Sequence, residues 1–311
     1  MHSTKRPLTI ALFVLVGMLP AAAQIDDILH GIGKAKEIHD ATHGWTPEQE
    51  DAVGRAAAAK MIHIFGLYNN TAMTDYVNLV GNTVAQFGTR ADVQYHFAIL
   101  DTPIINAFAM PGGYVFITRG ALENMNSESE LAGVLAHEVA HVDRRHLERT
   151  LSEKKLTAIG FETGAEVGTG ASGAGFATAV LAELAAHVCT FAVSQHYSPD
   201  KEREADKLGT DLAAKAGYDA SGLLKFLTML QQATDGNSDN RPFTGMLNGR
   251  THPPLKERVA KLTELASTYP AGGEALESRY RRNVAFQSEG SSSSGASKSA
   301  KKSGKKSSSG K

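Results

Sequence analysis

The sequence predicts an α+β fold, mainly helical, with a small β-sheet. Three features point to it. Most of the chain between residues 47 and 265 repeats its apolar side chains at helical spacing, whereas Val93, Tyr95, Phe97 and Ile99 alternate at a period of two, and Tyr114 to Thr118 read as a second strand after the turn Pro111-Gly112-Gly113. These extended stretches arrive just before the helix that contains LAHEVAHVDRRH, residues 135–146, which sets His137 and His141 one turn apart with Glu138 between them.

Residues 1–23 place Lys5 and Arg6 ahead of an apolar run from Leu8 to Leu19, followed by Ala21, Ala22 and Ala23. That pattern is a secretory signal peptide, with a run too short to span a bilayer comfortably. The only cysteine is Cys189, so the chain has no internal disulfide and no thiol near the cleavage point to carry a lipid. Residues 24–284 form the folded domain, and residues 285–311 are a disordered tail rich in Ser, Gly and Lys. The overall charge is −1, but the acidic excess lies in the domain. In the tail, Lys298, Lys301, Lys302, Lys305, Lys306 and Lys311 stand against Glu289 alone, which suits a solvated tail or a weak contact with anionic surfaces. No motif supports nucleic-acid binding.

Residues 24–43 suggest a short helix lying on the domain. Thr46 suits an N-cap, Pro47 the first helical position and Gln49 the reciprocal partner, which predicts a helix to about Phe65. A second helix is expected from Met73 to Phe87, with Tyr76, Leu79, Val80, Val84 and Phe87 on one face. Strand periodicity covers Val93 to Leu100. Asn106, Ala107, Phe108 and Ala109 form a short extended segment, either a plain hairpin arm or an edge strand whose main chain can pair with a peptide.

Asn126 or Ser127 caps the next helix, Glu130 completes a capping box with Ser127, and Leu131, Val134 and Leu135 supply an apolar face. On this helix His137 and His141 share a face and can hold one Zn²⁺, with Glu138 beside the water that such an ion activates. His146 lies nine residues past His137, about 180° around a continuing helix at roughly 100° per residue. It therefore reads as a packing residue or one behind the ligands. A metzincin pattern would need Gly at 144 and His at 147, where Arg144 and Leu147 stand.

Phe176 to Val193 is apolar around a central Glu183, and a carboxylate there is costly in lipid, so a buried or groove-covering helix is expected. Gly168, Gly170, Gly173 and Gly175 before it suggest hinges of a movable lid. Ser198 and Pro199 start a helix that places Glu202 and Asp206 one turn apart. Glu202 completes a His₂Glu donor set with one position open, the arrangement of catalytic zinc, and Asp206 can accept the far N–H of a zinc-binding imidazole. Glu204 is the competing ligand. Thr251-His252-Pro253-Pro254 precedes a last helix, Leu255 to Leu265, with Arg258 in its first turns.

In this order, NAFAMPGGYVFITRGAL, SELAGVLAHEVAHVDRRH, YSPDKEREAD and THPPLKERV closely resemble the HtpX-like and CAAX-prenyl-protease-like gluzincin family, in particular its soluble periplasmic BepA-like branch. The resemblance covers about Trp45 to Ala266 and implies a zincin-like metalloprotease fold with an edge strand beside the zinc helix. It implies one Zn²⁺ per chain on His137, His141 and Glu202, Glu138 as base, and Asn106 to Ala109 in the substrate-binding edge strand. His252 would sit near the zinc, either donating to a developing oxyanion or occupying the open position. The sequence departs from the family at Pro199, where Arg is common, and has no run that makes a membrane span. The expected protein is an exported, periplasmic zinc endopeptidase. Its substrates are peptides or unfolded proteins, with misfolded or unassembled envelope and outer-membrane proteins as clients. The alternative is a latent or non-catalytic chaperone-like envelope assembly factor that uses the same groove.

Overall fold

The computed structural model describes residues 45–153, 173–194, 197–235 and 255–286. The signal peptide, the helix expected within 24–43, Gly168 and Gly170, His252 and the tail beyond 286 lie outside the described residues. The expected α+β architecture is present. The chain runs α1 (Pro47–Phe65), α2 (Thr71–Ala85), β1 (His96–Leu100), β2 (Ala107–Met110), a 3₁₀ turn (Pro111–Gly113), β3 (Tyr114–Thr118), α3 (Arg119–Glu123) and α4 (Glu128–Asp143). It continues through α5 (His146–Glu153), α6 (Gly173–Ser194), α7 (Pro199–Lys215), α8 (Gly222–Asp235), α9 (Leu255–Ala266) and α10 (Glu277–Asn283).

Local chemistry sets the helix starts. The Thr46 hydroxyl accepts from the Gln49 N–H at 3.3 Å, and the Thr46 N–H donates to Gln49 Oε1 at 3.0 Å, closing the expected box at α1. Ser127, not Asn126, caps α4, and the Glu130 carboxylate reaches back to the Asn126 N–H. Asn70 caps α2, which starts at Thr71, two residues ahead of the predicted start. On α2, Met73, Tyr76, Val77, Val80 and Val84 are buried and Leu79 is exposed, while the helix ends at Ala85, short of the expected Phe87, which is also exposed. Leu79 lies off the stripe that faces the core, and Phe87 lies past the helix end.

The sheet order is β1-β3-β2, with β1 parallel and β2 antiparallel to β3, so β2 is an edge strand. Helices cover both faces, which explains why nearly every strand residue is buried. Phe97, Ile99, Ala107, Ala109, Val115 and Ile117 pack into a core with α2, α4 and α8. Ala98, Leu100, Phe108, Met110 and Phe116 join a second core built on α1, α5 and α6. The apolar α6 contributes Leu184, Val188, Cys189 and Phe191 to that second core, and no helix among the described residues is long and apolar enough to cross a membrane. Gly173 and Gly175 lie within α6 and so do not form hinges before it. Phe286 lies two residues past the expected domain boundary at 284 and packs its ring on Tyr68, with centroids 5.5 Å apart.

All of α4 is buried, far more than the stripe of Leu131, Val134 and Leu135. Two glycines permit this. A Cβ on Gly133 of α4 would lie 2.5 Å from the Leu223 nitrogen of α8, and a Cβ on Gly209 of α7 would lie 2.8 Å from the Cα and nitrogen of His137. The second approach brings α7 onto α4 at the level of the metal-type histidines. Gly209→Ala gains about 1 kcal/mol of helix propensity but must push two backbones apart, a strain that outweighs the gain. The variant is expected to lose roughly 1–2 kcal/mol in urea denaturation and to bind Zn²⁺ more weakly, and unchanged stability would show that the helices can separate freely.

Candidate metal centre

The buried face of α4 presents His137 and His141 with their Nε2 atoms 3.0 Å apart. From α7, Glu202 brings one carboxylate oxygen to 3.6 Å from His137 Nε2 and the other to 3.8 Å from His141 Nε2. All three side chains are buried, and their donor atoms lie within 4.8 Å of one another. A tetrahedral zinc with bonds near 2.0–2.1 Å separates its donors by about 3.3 Å, so two imidazoles and a carboxylate at these spacings fit that ion. The His₂Glu set read from the sequence is thus brought together from two helices.

Asp206, one turn after Glu202, places Oδ1 3.1 Å from His137 Nδ1. The carboxylate only accepts, so it holds the proton on Nδ1 and directs the Nε2 lone pair into the site. Arg258 of α9 completes the arrangement: Nε donates to Asp206 Oδ2 at 3.0 Å, one terminal nitrogen donates to Oδ1 at 2.6 Å, and the other lies 3.5 Å from Glu202. Burial raises the Asp206 carboxyl, but the guanidinium and His137 more than offset this and hold it well below the usual carboxylate range. Burial likewise disfavours the charged guanidinium, and Asp206 and Glu202 outweigh it. Burial keeps His137 below its ordinary value despite Asp206.

The helix does not continue to His146. α4 stops at Asp143, and Arg145 adopts φ 50, turning the chain so that α5 begins at His146. Instead of facing away, His146 is fully buried with Nδ1 3.0 Å from His141 Nδ1. It sits behind a ligand, as one of the two readings allowed, but through a break rather than a helical turn. Glu204 is not in the donor set. Its carboxylate lies 3.2 Å from His146 Nε2 and 3.2 Å from Arg144, half exposed at the rim. Burial lowers His146 to about 4 against the pull of Glu204, so the ring is neutral at neutral pH.

Glu138 is buried beside the donors, and the main-chain N–H of Ala109 on β2 acts on its carboxylate. The Asn106 carbonyl accepts from the Thr118 N–H at 3.0 Å, so by strand alternation the polar groups of Ala107 and Ala109 point to the free edge. The Ala107 N–H is met by Asn106 Oδ1 at 2.9 Å. The Phe108 ring instead packs on Phe65 in the second core, with centroids 6.2 Å apart, so what this strand presents to the site is main chain and not Phe108.

Two residues escaped the sequence reading. Tyr197 stacks on His141, with ring centroids 4.2 Å apart and planes at 23°. Its position just before the Ser198 cap was the available signal. Arg258 was seen only as part of a helix, although two buried carboxylates one turn apart require a cation nearby.

Residues 72–266 match the profile of Peptidase family M48. A putative beta-barrel assembly-enhancing protease of Vibrio cholerae is 31% identical over 84% of this chain and 52% of its own length. The beta-barrel assembly-enhancing protease of Escherichia coli is 30% identical over 62% of this chain and 39% of its own. A mitochondrial metalloendopeptidase of Schizosaccharomyces pombe is 28% identical over 61% of this chain and 52% of its own. The chain thus spans about half the length of these relatives, or less. With the family profile covering more than half of the chain and ending on α9, which carries Arg258, the chain belongs to peptidase family M48, a family of zinc-dependent metallopeptidases.

Proposed function

We propose that this chain is an exported zinc endopeptidase that hydrolyses peptide bonds in unfolded or unassembled proteins of the bacterial envelope. The observation that carries this reading is Glu138, buried beside a His137, His141 and Glu202 donor set and against the free edge of β2. Zinc held by those three residues supplies Lewis acidity toward the scissile carbonyl and lowers the pKa of water in the site. Glu138 takes the proton of the attacking water and delivers it to the leaving amine. The main-chain carbonyls of Ala107 and Ala109 accept from an extended substrate, reading backbone rather than side chains, which suits a broad range of unfolded clients. Asp206 and Arg258 keep His137 and Glu202 in place throughout.

The client class follows from the likeness to beta-barrel assembly-enhancing proteases, and the periplasmic location follows from the signal-peptide reading of residues 1–23. His252, by the sequence resemblance, would either donate to the developing oxyanion or occupy the position left open on a bound ion as a latch. His252→Ala separates these, with lost activity for the donor and gained activity for the latch.

Glu138→Gln is expected to retain one Zn²⁺ by elemental analysis while cleaving an unfolded protein roughly 10²–10⁴-fold more slowly. Mass spectrometry of proteins trapped on this variant should recover envelope proteins, and a variant that cleaves at the wild-type rate would refute the mechanism. A second expectation concerns stability. Burial, reinforced by the charge of Glu202, raises Glu138 from 4.5 to about 8. A carboxyl group raised on folding costs stability progressively as pH climbs from its unfolded to its folded pKa. In metal-stripped protein at pH 7, Glu138→Gln should therefore be more stable than wild type by on the order of 2–4 kcal/mol, with the gap closing toward pH 4.5 in urea melts. Parallel pH profiles for the two proteins would show that Glu138 is not held protonated.

A further inference from the structure

We propose that Glu204 and His146 form a positioning relay for His141, fixing the tautomer that turns its Nε2 lone pair into the metal site. His137 already has such a support in Asp206, which lies 3.1 Å from its Nδ1. His141 is supported through a longer chain of contacts. Its Nδ1 faces His146 Nδ1 at 3.0 Å, and His146 Nε2 faces a Glu204 oxygen at 3.2 Å.

The proton positions follow from what each atom can do. A carboxylate only accepts, so His146 Nε2 carries a proton and donates it to Glu204. A 3.0 Å contact between two Nδ1 atoms holds one proton. A ligand imidazole must keep the lone pair on its metal-facing nitrogen, so the proton of this contact belongs to His141 Nδ1. His141 Nε2 then has a lone pair, and it points at the same space as His137 Nε2, 3.0 Å away. The opposite arrangement, with an acceptor at His141 Nδ1, would put a proton on Nε2 and leave no donor for the metal. Orientation of ligand imidazoles through their far nitrogen is general for metal sites. Here a second imidazole is inserted between ligand and carboxylate.

The fold is arranged to make this contact. The break at Asp143 and the left-handed Arg145 return His146 to His141, and a straight helix would carry it to the far side. Tyr197 stacks on His141 and also contacts the His146 ring, with centroids 5.8 Å apart, so both imidazoles are fixed in plane as well as in protonation. Thr150 Oγ1 donates to the His146 carbonyl at 2.7 Å and holds the first turn of α5. The two supports differ in setting. Asp206 is buried and neutralised by Arg258, whereas Glu204 is 41% exposed and flanked by Arg144 and Arg149 at the surface.

The relay rests on the metal reading of the site, and zinc binding tests the two separately. Zinc affinity of the full chain is measured by chelator competition for wild type, His146→Leu, His146→Asn and Glu204→Ala. His146→Leu keeps bulk without an acceptor and should weaken zinc binding about 10–100-fold. The Asn side chain places an oxygen where the imidazole Nδ1 stood, so His146→Asn should remain within about threefold of wild type. Glu204→Ala, at an exposed position that leaves packing intact, should weaken binding by about 3–10-fold. In zinc-loaded, ¹⁵N-histidine-labelled wild type, a scalar coupling across the His141 Nδ1–H···Nδ1 His146 hydrogen bond should be detectable, and packing alone does not generate it. If wild type binds no zinc, the metal reading falls. If wild type binds zinc but His146→Leu binds it equally well, if His146→Asn loses as much as His146→Leu, or if the coupling is absent, the relay is overturned and His146 is a packing residue.

Discussion

The Arg258 guanidinium between Asp206 and Glu202 is the contact on which the site depends. Asp206 and Glu202 are buried one turn apart, and two unbalanced carboxylates in such surroundings would take up protons rather than remain charged. Arg258 is itself buried and meets Asp206 through two donors, so the pair is satisfied in geometry as well as in charge. A buried ion pair contributes little net stability compared with apolar packing, and this one is better understood as a device for position. It keeps Asp206 a permanent acceptor, which fixes His137, and it ties α9 to the helix that supplies Glu202. A chain segment distant in sequence from His137 therefore sets the state of that ligand.

That arrangement can exist only if α4 is covered on every side. A helix facing water on one flank would let solvent reach the histidines and weaken each of these electrostatic contacts. Coverage comes from α7 and α8, whose approach Gly209 and Gly133 allow, from α2, and from the sheet edge at β2. The N-terminus of α4 is secured as well. Buried Glu128 accepts from the Tyr76 and Tyr218 hydroxyls at 2.8 Å each and pairs with Arg279 of α10. Three regions of sequence thus converge on the first turn of the helix that carries the metal-type histidines.

Much of this was legible from local pattern. Capping chemistry located α1, α4 and α7, because a cap is a contract between residues three positions apart and needs no tertiary information. His137 and His141 were legible because helical spacing puts them on one face of α4, and Glu202 because Asp206 follows it one turn later on α7. Exposure of Leu79 was not, since an apolar residue just off a stripe looks identical in sequence to one on it, and exposure of Phe87 was not, since the helix stops at Ala85 with neither Gly nor Pro at the next two positions to mark it. Nor was the end of α4. Arg144-Arg145 contains neither Gly nor Pro, and the positive φ at Arg145 is sustained by tertiary pairing of its guanidinium with the Trp45 carbonyl and Glu50. The orientation of Phe108 depended on knowing that both faces of the sheet are covered. Arg258 could be inferred only from charge balance between helices whose proximity the sequence does not state.

These contacts also place the metal in the energetics of the fold. The charge of Glu202 adds to the cost of ionising Glu138, and the two imidazoles direct donors at a common point. Arg258 balances Asp206 and part of Glu202, which leaves negative charge and lone pairs gathered on the α4 side of the site. A dication satisfies that remainder, so it binds the folded chain in preference to the unfolded one and stabilises it by mass action. A dication bound there would also oppose the raised pKa of Glu138 and favour its basic carboxylate form. Folding, metal retention and readiness for proton transfer are therefore linked through one cluster of buried groups, and a change at any of them is felt in all three.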